Sequence, residues 1–262
     1  MERVGQKNLM NRIIFITGTG TGVGKTVLTA LLLRHFREEG VNALALKPFC
    51  SGSRNDARLL QRLQSRFLTL DATNPYFFRQ PLSPWVAARK THAKQVPFRS
   101  VLRQIQAVAR RAETLLVEGS GGLLAPLGDG YAAAELISGL RCKTIIVAPN
   151  SLGTINHVML TLRHLQAIDV KDIIIVMMGV KNSDYSSGSN VDAIRALTPE
   201  TLVFSLPFFG TGASNLTNLK QNEKKVKKTL AEIIARDSLC PFLPTGKSDC
   251  STKTVDNGAV RR

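Results

Sequence analysis

The stretch Gly18-Thr19-Gly20-Thr21-Gly22-Val23-Gly24-Lys25-Thr26 has the residue types and spacing of a loop that grips phosphate. Its glycines let backbone N–H groups converge on phosphate oxygens, and a helix starting at Lys25 adds partial positive charge from its N-terminus. The Lys25 ammonium reaches the outer phosphates of a triphosphate, and the Thr26 hydroxyl is a hard-oxygen ligand for Mg2+. A strict G-x-x-x-x-G-K-[ST] pattern has glycine at 19, where threonine stands here. A second lysine, Lys47, leaves an apolar run just before Pro48, which puts it at the carboxyl edge of a strand, where open α/β sheets bind ligands. A lone strand-end lysine is also a simple solvated terminus; pairing with the phosphate loop favours an anion held beside the γ-phosphate. Two acids suit a magnesium ion that keeps several waters. Glu118 ends the apolar run 114–117 and precedes Gly119-Ser120-Gly121-Gly122, and an acid ending a buried strand needs a partner. Asp56 opens an arginine-rich helix, where the helix dipole by itself also favours an acid.

These side chains meet only if strands and helices alternate so as to deliver them to one edge. Runs at 12–17, 43–47, 114–117, 144–148, 173–177 and 202–206 read as buried strands. Helical stretches follow the phosphate loop through Val27, Leu31, Leu32 and Phe36, and recur over 54–66, 98–112, 154–168 and 223–235. Strands without polar alternation, separated by helices, imply an α/β fold: a mainly parallel sheet with helices on both faces, of the P-loop NTPase type. Residues 1–236 are read as one domain and the polar, aperiodic residues 237–262 as a loose tail.

Composition narrows the class further. The chain has 262 residues, 44% of them hydrophobic, which argues against a disordered chain. No window supplies the roughly 18 uninterrupted apolar residues of a membrane span, and the N-terminus lacks a signal-peptide layout, so a cytoplasmic protein without membrane contact is expected. Cys50, Cys142, Cys240 and Cys250 form no C-x-x-C pair, which indicates neither a disulfide framework nor a zinc site. Lys and Arg number 35 against 19 Asp and Glu, a formal charge of +16. Residues 54–112 alone hold twelve basic residues and two acids, and Arg54, Arg58, Arg62 and Arg66 recur at a spacing that makes a stripe on a helix. Such a stripe meets polyanions by counterion release, but no aromatics or nucleic-acid motif accompany it, so nucleic acid is not an expected partner.

The combination of motifs resembles the dethiobiotin synthetase family. The phosphate loop is similar to that family's G-T-D-T-x-V-G-K-T, and Lys47-Pro48 with Ser51-Gly52 matches K-P-x-x-S-G. Val117-Glu118-Gly119-Ser120-Gly121-Gly122 matches V-E-G-A-G-G, and Leu152-Gly153-Thr154-Ile155-Asn156-His157 is similar to L-G-x-I-N-H. Asn74-Pro75-Tyr76 and Ser83-Pro84 also recur, so the likeness spans residues 12–207. The resemblance implies a Mg-ATP-dependent ligase that joins 7,8-diaminononanoate and CO2 (or bicarbonate) into a cyclic urea through a phosphorylated carbamate. It implies that Gly22, Val23, Gly24, Lys25, Thr26 and Val27 hold ATP, with Gly119, Ser120 and Gly121 beside them. Thr26, Asp56 and Glu118 would bind Mg2+, and Lys47 and Lys25 would be catalytic. Ser51 would touch the diamine, and amides at Gly153, Thr154, Ile155 and Asn156 would cradle its carboxylate from the other subunit of a homodimer. Met178, Gly179 and Pro207 fall where the family meets the nucleoside.

The chain departs from the family pattern in three places. Gly20 replaces the loop aspartate, Met178-Gly179 stands where an asparagine often faces adenine, and Phe208-Phe209-Gly210-Thr211-Gly212 lacks the usual ribose acid. A second reading is a P-loop switch ATPase of the partitioning type that binds DNA non-specifically through the arginine stripe. It lacks the extra lysine such switches carry early in the loop, and it leaves Lys47 without a task.

Overall fold

Every second residue of Ile13-Ile14-Phe15-Ile16 is apolar on one face and its neighbours are apolar on the other, so the strand they form has to be covered on both sides. In the computed structural model, which describes residues 12–235, that strand is β1 (Arg12–Gly18), followed by α1 (Lys25–Glu38), β2 (Ala43–Leu46) and β3 (Phe49–Ser51). Next come α2 (Asn55–Leu63), α3 (Leu70–Thr73), β4 (Tyr76–Phe78), α4 (Pro84–Lys90), α5 (Phe98–Ala109) and β5 (Thr114–Glu118). The chain continues through α6 (Ala133–Leu140), β6 (Lys143–Pro149), α7 (Thr154–Ala167) and β7 (Ile173–Met178). A short 3-10 turn (Tyr185–Gly188), α8 (Asn190–Leu197), β8 (Leu202–Leu206) and α9 (Leu216–Ala235) complete it. The expected tail, 237–262, lies outside the described residues, as do Cys240 and Cys250.

Six strands form one sheet in the order β2-β5-β1-β6-β7-β8, with every pairing parallel. Strand alternation sorts the core into two layers. Ile14, Ile16, Leu116, Val147 and Met178 pack on one side with Leu28, Leu31, Leu32 and Leu230 from α1 and α9. Phe15, Leu115, Val117, Ile146 and Met177 pack on the other with Val101, Ile105, Ile137 and Leu162 from α5, α6 and α7.

The same alternation places the charged residues. Leu46 pairs with Val117 across β2 and β5, so the next residues along, Lys47 and Glu118, emerge side by side from neighbouring strands. Each follows a residue packed toward α5 and therefore turns to the opposite side, the one carrying α1.

Two sequence expectations are corrected. The helix read over 54–66 stops at Leu63, because Ser65 and Arg66 take φ of 55° and 56° and cannot continue it. Arg66 thus leaves the stripe. Arg54 leaves it too, preceding the helix and bonding to Asn74, Leu70 and Asp71. The last helix begins at Leu216, seven residues before the expected start at Glu223.

Candidate functional site

The loop between β1 and α1 is shaped by its glycines. Gly24 caps α1 at φ 103°, a conformation L side chains rarely adopt, and a β-carbon there would meet Met178 Cγ at 2.9 Å. Lys25, at the first position of α1, is 6% exposed and bends back to donate from Nζ to the Gly20 carbonyl at 2.5 Å. Burial is the main influence on this ammonium and lowers its pKa to about 8, against the pull of the Glu118 carboxylate.

Glu118 is the hub. Its Oε1 accepts from Thr26 Oγ1 at 2.6 Å and from Lys47 Nζ at 2.5 Å, and Lys47 also donates to Asp56 Oδ2 at 2.6 Å. Burial works against charge on Lys47, but Glu118 and Asp56 outweigh it and hold the ammonium above its ordinary pKa. Glu118 is 1% exposed, and its Oε2 is buried with no hydrogen-bond partner. An orphaned carboxylate oxygen beside a threonine hydroxyl and a second carboxylate is a donor set that fits a hard divalent cation such as Mg2+. The Cys50 thiol beside them is pushed up to about 11, chiefly by burial and despite Lys47, so it stays protonated at neutral pH.

Lys47 is positioned from behind. Its backbone N–H donates to the Thr73 carbonyl at 2.9 Å, and buried Asn74 donates from Nδ2 to the carbonyls of Lys47 and Pro48. Arg54 in turn donates to Asn74 Oδ1 at 2.9 Å. The small parallel pair β3–β4, in register Phe49 to Tyr76, ties the segment after Lys47 to the same turn.

The assembled side chains border a cavity of about 590 Å3. Lys25, Thr26, Lys47, Asp56, Glu118 and Ser51 all line it. So do Gly22, Gly24, Val27, Ser120 and Gly121, while Pro81 to Pro84 and Ser214 form facing walls. The Ser51 hydroxyl is buried without a partner at the cavity.

The AAA domain family matches residues 12–211. The ATP-dependent dethiobiotin synthetase BioD of Akkermansia muciniphila is 38% identical over 171 residues, covering 65% of this chain and 80% of that protein. The enzyme of the same name from Anaeromyxobacter dehalogenans is 36% identical over 203 residues, covering 75% of this chain and 90% of that protein. The chain belongs to the ATP-dependent dethiobiotin synthetase family. Solved structures agree on the fold. MinD from Aquifex aeolicus aligns over 83% of this chain and 97% of its own with a TM-score of 0.52 at 15% identity. The pNOB8 ParA bound to nonspecific DNA aligns over 87% and 99% with a TM-score of 0.56 at 10% identity, a likeness of P-loop fold alone.

Family positions away from the cavity have different surroundings. Val23 is buried in the core layer below the loop, and the Gly119 N–H donates to the Ile16 carbonyl at 2.9 Å. Met178 is buried against Gly24. The Gly179 N–H donates to the Leu206 carbonyl at 2.8 Å, and a β-carbon on Gly179 would lie 2.4 Å from Phe208 N and 2.8 Å from Pro207 C. Gly153, at φ 85°, caps α7, whose first turn carries Thr154, Ile155 and Asn156. None of these four borders the phosphate cavity. The Thr154 hydroxyl is buried and unpartnered, and Asp184 Oδ2 accepts from the Leu152 N–H at 2.8 Å, fixing the approach to the helix.

Sequence reasoning missed Asn74 and Arg54 as the brace behind Lys47, and Thr21 and Ser214 as cavity walls. Asn74 had a signal, since it opens the Asn74-Pro75-Tyr76 motif; Ser214 had none.

Proposed function

We propose that the protein is a Mg-ATP-dependent cyclo-ligase that converts 7,8-diaminononanoate and CO2 to dethiobiotin, releasing ADP and phosphate. The observation that carries this reading is the Lys47 ammonium, buried between Glu118 and Asp56 in the same cavity as Lys25. One substrate amine adds to CO2 and loses a proton, giving a carbamate. A carbamate oxygen attacks the γ-phosphorus as the bond to the β-phosphate oxygen breaks. The second amine then attacks the carbonyl carbon and gives up a proton as phosphate departs, closing the cyclic urea.

Both reactants are anions, so the site has to offset repulsion and stabilise charge spread over the transferring group. Lys25 serves the ATP phosphates. Lys47 is held protonated by its two carboxylates and keeps one N–H for the anion formed where carbamate meets γ-phosphate. Thr26, Asp56 and Glu118 are the residues that would hold Mg2+, which supplies further neutralisation of the phosphate oxygens. Ser51 offers its unpartnered hydroxyl to the diamine. No covalent nucleophile is required, which accords with a Cys50 thiol that burial keeps protonated.

The first turn of α7 is assigned to the diamine carboxylate of a neighbouring subunit in a cytoplasmic homodimer. Leu152 just before that turn and Leu160 further along α7 are 81% and 62% exposed, apolar surface suited to a second copy. No described helix is long and apolar enough to cross a membrane. Purified protein incubated with diaminononanoate, labelled bicarbonate and Mg-ATP is expected to form a labelled cyclic urea detectable by mass spectrometry. ADP release independent of diamine, or stimulated instead by duplex DNA, sinks the reading.

A further inference from the structure

A second pocket, of about 210 Å3, opens beside the phosphate cavity, and Asp56 and Ser214 are walls of both. Arg58, Leu59 and Arg62 of α2 line one side of it, and Asn215 and Leu216, where α9 begins, line the other. We infer that this pocket binds inorganic phosphate on its way out, receiving the former γ-phosphoryl group once the cyclic urea has closed. The inference rests on the ligase reading, which makes phosphate a product beside ADP and dethiobiotin.

Connectivity separates these products. Gly22, Gly24 and Lys25, assigned to the nucleotide phosphates, and Ser51, assigned to the diamine, border the first cavity and not the second. ADP and dethiobiotin therefore rest on walls that the second pocket does not share. Phosphate forms between them, at the end of the cavity where Lys47 donates to Asp56. A route past Asp56 and Ser214 lets it leave while the other two products stay in place.

The walls suit a small oxyanion. Arg58 and Arg62 are exposed and four residues apart, so their guanidinium groups rise from one face of α2. Arg58 NH1 donates to Asn55 Oδ1 at 3.2 Å, and Arg62 has no side-chain partner among the described residues. A guanidinium fork matches two phosphate oxygens at once, and a pair of forks favours a dianion over a monoanion. The Asn215 amide adds a neutral donor from the facing wall. Asp56 is the single acid among the lining residues, and its bond to Lys47 offsets the repulsion it would exert.

The surface outside continues the same charge. Lys220 and Lys224 follow Leu216 at four-residue spacing on α9 and are exposed, so they extend the positive field from the pocket toward solvent. Bicarbonate shares the oxyanion chemistry, but it is a monoanion and is consumed beside the diamine, on the Ser51 side of the first cavity.

Modification of arginines by phenylglyoxal, mapped by peptide mass on the full chain loaded with ADP, reads the pocket directly. Phosphate is expected to protect Arg58 and Arg62 and to leave Arg103 reactive, since α5 packs on the opposite layer of the sheet from α2. Chloride or bicarbonate at equal ionic strength should protect neither. Arg62→Ala removes a charged hydrogen-bonding group and should raise the phosphate concentration that half-protects Arg58 by about tenfold. Stopped-flow kinetics give a second readout, comparing phosphate formed, by acid quench, with phosphate set free, by a fluorescent reporter. Leu216→Trp fills the pocket at its 45% exposed wall, and the ratio of release rate to formation rate should fall by about tenfold. Absent protection, equal protection by chloride, stronger protection by bicarbonate, or an unchanged release ratio in Leu216→Trp overturns the inference. Protection reports phosphate whether or not the ligase turns over. Protection without dethiobiotin therefore sinks the proposed activity and leaves an anion site, whereas dethiobiotin from a protein whose Arg58 and Arg62 stay reactive in phosphate sinks only the exit.

Discussion

The two halves of the sheet's carboxyl edge treat polar side chains in opposite ways. Where β2 and β5 end, charged groups are buried and spent on one another: Lys47 is 7% exposed, Glu118 1%, and both lie within 2.6 Å of a partner. Where β6 and β7 end, the polar groups are mostly neutral and bind backbone or one another. Asn150 donates to the Ser187 carbonyl at 2.9 Å, Asn190 donates to Asn150 Oδ1 at 3.0 Å, and exposed Asp184 accepts the Leu152 N–H. Burying charge is costly unless it is paired, so the first half makes sense as a place prepared for incoming anions. The second half holds the start of α7 in shape and carries no charge into the interior. The difference separates a centre built for electrostatics from a frame built for fit.

The strongest way to break this contrast is Glu118→Gln. It removes the buried charge shared by Thr26 and Lys47, and turnover is expected to fall by about 10^3-fold; a loss below about tenfold in steady-state rate would erase the distinction between the halves. Lys47→Ala comes next. It leaves Glu118 buried without its hydrogen-bonded cation, at a cost of about 3 kcal/mol in denaturant melts, and it should lower turnover far more than ATP affinity. Equal losses in both contradict a role confined to the reacting carbamate.

A pH series sharpens the comparison. Burial lowers the Lys25 pKa to about 8, so below that pH the unliganded site is already charged. Above it the lysine must take up a proton to hold phosphate. ATP affinity is expected to be level on the acid side of 8 and to fall as pH rises through it, by at most about tenfold per unit. Calorimetry in buffers of different ionisation heat should show proton uptake only on the alkaline side; a level affinity there removes Lys25 from phosphate binding.

The smallest effect belongs to the other half. Thr154→Val deletes a buried, unpartnered hydroxyl, and melting is expected to show a change no larger than about 1 kcal/mol, toward stability. ATP affinity should not move; a tenfold shift would mean the frame also handles the nucleotide.

The sheet was legible because its strands are long apolar runs with β-branched residues, a signal that survives any tertiary context. Lys47, Glu118 and the phosphate loop were legible because a charged residue ending such a run has few structural excuses. The site's internal pairing was not. That Lys47 sits between Asp56 and Glu118 depends on the register of β2 against β5 and on where α2 starts, and neither is written in local spacing. The elements α3, α4, α6 and α8 span eight residues or fewer, too short for a helical period to stand out. The arginine stripe misled because a period of four ignores the backbone: φ at Ser65 and Arg66 ends the helix early.

The tight crossing at Gly179 bears on how this chain can change. With Phe208 N only 2.4 Å from where a β-carbon would sit, no larger residue enters there until the backbone at 207–208 has moved aside. Met178 packs on Gly24, so a larger residue at 24 is excluded at the same corner. Placing an asparagine at 179 therefore requires the connecting segment at 207–208 to shift as well. A substitution at 179 alone leads to a clash with the connecting backbone.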